Sequence, residues 1–92
     1  MTAHDTATTI WKFPLTNEAV EMPKGARLLT VQTQNGIPCL WAEVNPKAEK
    51  VTRHLLVVGT GWDDGLVEGS TYLATFQQGP LVFHVYDMGE ES

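Results

Sequence analysis

The sequence predicts a small all-β domain, an antiparallel meander of about six strands curled into a sheet or half-barrel. Three observations carry this expectation. Residues 27–44 place two apolar-rich runs on either side of Asn35-Gly36. A type I′ turn needs positive φ at both central residues, which Asn and Gly tolerate best, so this stretch reads as a β-hairpin. Further strand-like runs recur at residues 8–15, 51–58, 71–77 and 81–86, separated by Gly, Pro and Asn. Nowhere do apolar residues repeat at helical spacing over an ordinary helix length.

Taken in order, residues 1–7 are small and polar and read as a tail. In residues 8–15 the period-2 pattern puts Trp11, Phe13 and Leu15 on one side. Pro14 lacks an N–H, so that strand ends there or lies at a sheet edge. Residues 16–22 leave open a helical turn or an extended return, and Pro23-Lys24-Gly25 makes a turn. In the hairpin, Leu29, Val31 and Thr33 oppose Leu28, Thr30, Gln32 and Gln34. On its return strand Cys39, Trp41 and Glu43 oppose Leu40, Ala42 and Val44. Asn45-Pro46 opens a loop to Lys50, and the continuous apolar run 55–58 fits a buried strand. Residues 59–70 form a long loop, a type of segment that often carries function. Gln78-Gly79-Pro80 turns a second hairpin, and residues 88–92 read as a disordered tail. The ordered core is therefore expected over about 8–87 of a single domain spanning 1–92.

Composition narrows the function classes. A chain of 92 residues, 42% hydrophobic and 18% charged, is globular rather than disordered, yet near the size at which one core leaves a modest margin. A homo-oligomer is accordingly expected. The net charge of −5 argues against general nucleic-acid binding, which needs a basic face. All six Lys and Arg residues lie at or before Arg53, so an anionic ligand would look first to Lys12, Lys24, Arg27 and Arg53. A lone cysteine, Cys39, excludes an internal disulfide and a Cys-based zinc site. No run is long enough for a membrane span, and no basic-then-apolar leader opens the chain, so a cytoplasmic protein is expected.

Few residues invite chemistry. His84 alternates with Val82 and Tyr86, either as an imidazole facing a ligand or as a half-buried His bonded to a neighbouring strand. No histidine pair has metal spacing and no carboxylate completes a triad, so neither metal nor cofactor is expected and an enzyme is disfavoured. Gly59-Thr60-Gly61 is either an anion-binding nest of backbone N–H groups or a plain turn, and it lacks the lysine of a phosphate loop. Asp63-Asp64 falls far short of a calcium loop. Gln32, Gln34 and Gln77 offer amides, and Trp11, Trp41, Trp62 and Phe76 offer ring faces, the groups that read and stack a base; the alternative is that the tryptophans are core and the glutamines solvated strand positions. Arg27 or Arg53 would meet a phosphate if these residues converged.

The segments Ile10-Trp-Lys-Phe-Pro-Leu15, Met22-Pro-Lys-Gly-Ala26, Val31-Gln-Thr-Gln34, Pro38-Cys-Leu-Trp-Ala42, Gly59-Thr-Gly61, Tyr72-Leu-Ala-Thr-Phe-Gln77 and Val82-Phe-His-Val85 follow one another from Ile10 to Tyr86. In that order they resemble a family of small uncharacterised proteins of bacteriophages and prophages. That family usually has His where Trp62 follows Gly-Thr-Gly here. The resemblance implies no particular activity. It does imply a phage setting, in which small non-enzymatic proteins sequester a host signalling nucleotide or bind a host protein. A nucleotide binder is the first expectation, with a protein-interaction module as the alternative.

Overall fold

A computed structural model describes residues 7–63 and 65–91, with Leu66 described by its backbone alone. The expected tail at residues 1–7 thus lies outside the described residues except for Ala7, as do His4, Asp64 and Ser92. Seven antiparallel strands are present: β1 (Thr9–Pro14), β2 (Ala19–Pro23), β3 (Arg27–Gln34), β4 (Ile37–Val44), β5 (Lys50–Gly59), β6 (Thr71–Gln78) and β7 (Leu81–Glu90). A 3-10 turn, Gly65–Val67, lies in the loop before β6. Among the described residues no helix is long and apolar enough to cross a membrane.

The strands form two sheets, ordered β1-β4-β3 and β2-β5-β7-β6. The all-β antiparallel class holds, with seven strands in two sheets that do not close into a barrel. The seventh is β2, within the stretch whose sequence left a helical turn open. It is extended because its backbone pairs with β5, from Ala19 opposite His54 to Pro23 opposite Lys50. Just before it, the Glu18 carbonyl accepts the Leu55 N–H at 2.7 Å. Along the seam between the sheets, side chains replace a ladder. Thr33 Oγ1 donates to the Gln77 carbonyl at 2.7 Å, and Gln78 Nε2 donates to the Gly36 carbonyl at 2.8 Å.

Both hairpins follow from their turn residues. Asn35 and Gly36 have φ of 53° and 80°, the double positive φ of type I′. The second loop is the pair Gly79-Pro80, with Gly79 at φ 58°. Proline cannot take positive φ, so this is a type II′ turn with Gly in its first central place.

Two local expectations are corrected. A bulge between Leu28 and Thr30 pairs Leu28 with Ala42 and Val31 with Leu40, which puts Leu28 on the same face as Val31 rather than opposite it. The C-terminal residues are not a frayed tail: β7 continues to Glu90, which pairs with Arg53, and the Glu91 N–H donates to the Thr52 carbonyl at 2.8 Å. The local pattern hides this extension because a bulge after Asp87 breaks the alternation, with Gly89 at φ 98°.

The core lies between the sheets. Leu40, Ala42 and Val44 of β4 and Val31 of β3 are fully buried, with Leu55, Ala74, Phe76 and Val85 buried on the inner face of the other sheet. Directly opposed residues of an antiparallel pair share a face. By register, Phe76, Phe83 and Gly59 therefore extend this inner face towards the end of β5, while Thr75, His84 and Val58 lie on the outer face.

Candidate functional site

The sequence-nominated residues do not gather at one end. They separate into two groups. Arg27, Gln32, Gln34 and Trp41 share the outer face of β1-β4-β3, where Lys12 and Thr30 flank Trp41 on its two sides. Lys12 Nζ donates to Gln34 Oε1 at 2.7 Å, and Arg27 Nε pairs with Glu43 Oε1 at 3.2 Å on the exposed surface. Gln77 stands apart at the second hairpin, with its Nε2 donating to the Gly79 carbonyl at 3.3 Å.

Gly59, Thr60, Gly61, Trp62 and His84 do converge. The Trp62 N–H donates to the Gly59 carbonyl at 3.0 Å, closing a four-residue turn with Gly61 at φ 90°. A positive φ at the third position is the type II arrangement, which favours glycine there. The turn folds the Trp62 indole back over Gly59. A Cβ built on Gly59 would lie 2.6 Å from Trp62 Cε2, so only glycine lets the ring settle there. The indole also meets Phe83 in a T-shaped contact, with centroids 6.1 Å apart, and Phe83 stacks on Phe76 at 5.4 Å. Trp62 thus ends an aromatic row that begins in the core, while remaining 63% exposed.

A cleft lies to either side of this ring. The larger, about 340 Å³, is lined by Gly59, Thr60, Trp62, Pro80, Leu81, Val82 and Phe83. The smaller, about 240 Å³, is lined by Val58, Gly59, Thr60, Gly61, Trp62, His84 and Tyr86. Both volumes are near the lower end of small-molecule sites, which run to about 300–1,000 Å³.

Hydrogen bonding fixes the polar wall. Thr60 Oγ1 donates to the Val82 carbonyl at 3.1 Å, so its 2.8 Å contact with His84 Nε2 makes that nitrogen the donor. In the neutral ring Nδ1 then accepts from Thr75 Oγ1 at 3.1 Å, and Thr75 in turn accepts from the Tyr72 hydroxyl. His84 is therefore held from β6 on one side and from the turn after β5 on the other, the strand-bonded alternative for this residue. Thr75, Tyr72, Phe83 and Leu81 were not nominated by sequence. Phe83 sits beside His84 in the chain and was the available signal, whereas the Thr75–His84 pairing depends on register.

The Thr60 N–H donates to the Val82 carbonyl at 3.1 Å and the Trp62 N–H to Gly59, so the Gly-Thr-Gly segment takes the plain-turn alternative, with these two amides committed. Arg53 is equally committed. Its Nε and Nη2 grip Asp87 at 3.0 and 2.8 Å, and its Nη1 reaches the Ala26 carbonyl at 3.0 Å and Glu90 at 3.5 Å. The Glu90 carboxylate also accepts the Gly25 N–H. This clasp joins β5, β7 and the approach to β3, and leaves no guanidinium edge for a phosphate. The hydrogen bond to Arg53 holds Asp87 below the usual carboxylate range, against the opposing effect of burial. The hydrogen bond to Asp87 likewise raises Arg53 above the usual guanidinium value.

Gly59→Ala tests the turn. The new methyl collides with the end of an exposed side chain, so we expect the indole to swing off Phe83 at a stability cost of about 1 kcal/mol. A changed tryptophan emission spectrum with a melting temperature lowered by only about 4–8 °C would register it.

Among the described residues no three His, Cys, Asp or Glu side chains come together as a metal site. No curated protein and no solved structure matches the chain. Residues 6–92 match the family model described as a domain of unknown function, DUF7352, and the chain belongs to that family.

Proposed function

We propose that this protein is a small non-enzymatic binder that holds a planar, base-like ring beside Trp62. The observation that carries the reading is the exposed indole with a cleft on each flank, pinned by Gly59 beneath and Phe83 beside it. A large exposed apolar ring held in place by its own turn has little to contribute to stability, whereas a pre-positioned ring face lowers the cost of ordering a ligand. The resemblance to phage and prophage proteins supplies the setting: a cytoplasmic protein that sequesters a host nucleotide signal. So small a binder is expected to act as a homo-oligomer.

Native mass spectrometry and calorimetry against a panel of nucleosides, cyclic nucleotides and ADP-ribose would test this, reporting ligand and copy number together. Stacking on an aromatic side chain contributes about 1–3 kcal/mol per base. Trp62→Ala should therefore weaken the bound ligand by roughly 5- to 150-fold while changing unfolding by less than about 1 kcal/mol. No micromolar binding across the panel would end the reading.

A docking role on a host protein is the second reading. It is favoured by Leu81, an exposed apolar side chain on β7 that lines the larger cleft with Trp62. Specific capture from host lysate that persists at raised salt and is lost with Trp62→Ala would favour it over the first.

A further inference from the structure

The chemistry around Trp62 says which part of a ligand it recognises, on the reading that this cleft is the binding site. Every Lys and Arg of the chain, all six among the described residues, is placed elsewhere. Lys12 and Arg27 lie on the outer face of the other sheet, and Arg53 is clasped by Asp87. Lys24, Lys47 and Lys50 cluster where β5 begins, nine residues from Gly59 or about 30 Å along an extended strand. Asp63 follows Trp62 directly and is exposed, with its Oδ1 accepting from the Gly65 N–H at 3.0 Å. Of the turn's backbone amides, those of Thr60 and Trp62 already donate within the protein. A phosphate in the larger cleft would thus meet no lysine or arginine among its lining residues.

What the wall does offer is acceptors. Thr60 lines both clefts, and its Oγ1 takes one hydrogen from His84 Nε2 and gives its own to Val82, which leaves it one lone pair still able to accept. The exposed ring of Trp62 presents the negative face of a π system, favourable to electron-poor or cationic rings.

We propose that the larger cleft takes a flat heteroaromatic ring bearing an amine, neutral or cationic, and that phosphate contributes nothing to its recognition. The ring slides between Trp62 and Leu81 over Phe83, and its N–H donor reaches Thr60 Oγ1. A nucleotide signal is then held by its base, with its phosphates left in solvent. The volume suits one ring system with its sugar and excludes a second base from the same cleft.

Calorimetry with adenosine, purine riboside and adenosine monophosphate tests this on the intact chain. Adenosine and its monophosphate should bind within about threefold of one another, with little change at raised salt. Purine riboside, which lacks the amine, should bind several-fold more weakly, and Thr60→Val should erase that difference while the chain stays folded. A monophosphate bound tenfold or more tightly than adenosine, in a salt-sensitive manner, would overturn the inference and leave the Trp62 cleft as the site. Equal binding of adenosine and purine riboside would overturn the amine contact. Failure of all three to bind would overturn the site itself and this inference with it.

Discussion

Leu40→Ala should destabilise the protein by about 3–4 kcal/mol, the largest loss expected from any single truncation in the core. Leu40 is fully buried at the middle of β4, the central strand of its sheet, between Phe13 of β1 and Val31 of β3. Removing its branch opens a cavity with strands fixed on both sides by ladder hydrogen bonds, so the walls can relax little. A domain of this size has a total stability on the order of 5–14 kcal/mol. The loss would lower the melting midpoint by roughly 15–25 °C. Ile10→Ala is the matched control, because Ile10 sits in β1 on the outer face and is 57% exposed. It should cost less than about 1 kcal/mol. Chemical denaturation of both variants decides the matter. Equal losses would mean that the space between the two sheets is not the core.

How much of this was legible beforehand depends on the range of the interaction involved. Asn35-Gly36 specified its turn because the needed φ values are a property of two adjacent residues. The alternation Leu40, Ala42, Val44 likewise announced a buried face, since period 2 is intrinsic to a strand. Leu28 was misassigned because one extra residue in β3 inverts the alternation, and a bulge is chosen by the partner strand rather than by the run itself. The extension of β7 to Glu90 was hidden for a related reason. Asp87 and Glu90 are drawn into the sheet by Arg53, more than thirty residues earlier, and a polar stretch with a distant partner looks like a tail.

The candidate site divides in the same way. Gly59-Thr60-Gly61-Trp62 is a local turn, and its irregularity singled it out. His84 was noticed as a polar residue in an apolar strand. That these meet, while Gln32, Gln34 and Trp41 lie on a different sheet, follows from strand order. Alternation tells which residues share a face of one strand, and nothing about which sheet that strand joins. The cations show this most sharply. By composition Arg53 was a ready phosphate partner, but its geometry makes it a fixed part of the fold.

That fixed role predicts the second large effect. Arg53 and Asp87 are only 13% and 18% exposed, and their two parallel hydrogen bonds are the bidentate arrangement that gives Arg–carboxylate pairs their strength. Arg53→Met removes those bonds and the contact to the Ala26 carbonyl, leaving Asp87 half-buried and unpaired. The expected cost is about 2–4 kcal/mol. Most of it is the penalty of the stranded carboxylate, so adding Asp87→Leu to Arg53→Met should recover part of the loss. Acid titration gives an independent check on the same pair. Because the folded state holds Asp87 below its ordinary value, the unfolded chain takes up the proton first as pH falls. Stability from this pair is therefore complete above about pH 4 and is lost as the pH drops from there through the lowered folded value. Asp87→Asn should start less stable at neutral pH and then lose less on acidification than the parent, the remaining slope coming from the other carboxylates. Superimposable acid slopes for the two proteins, measured by urea unfolding between neutral pH and about pH 3, would mean that the clasp contributes no stability of its own.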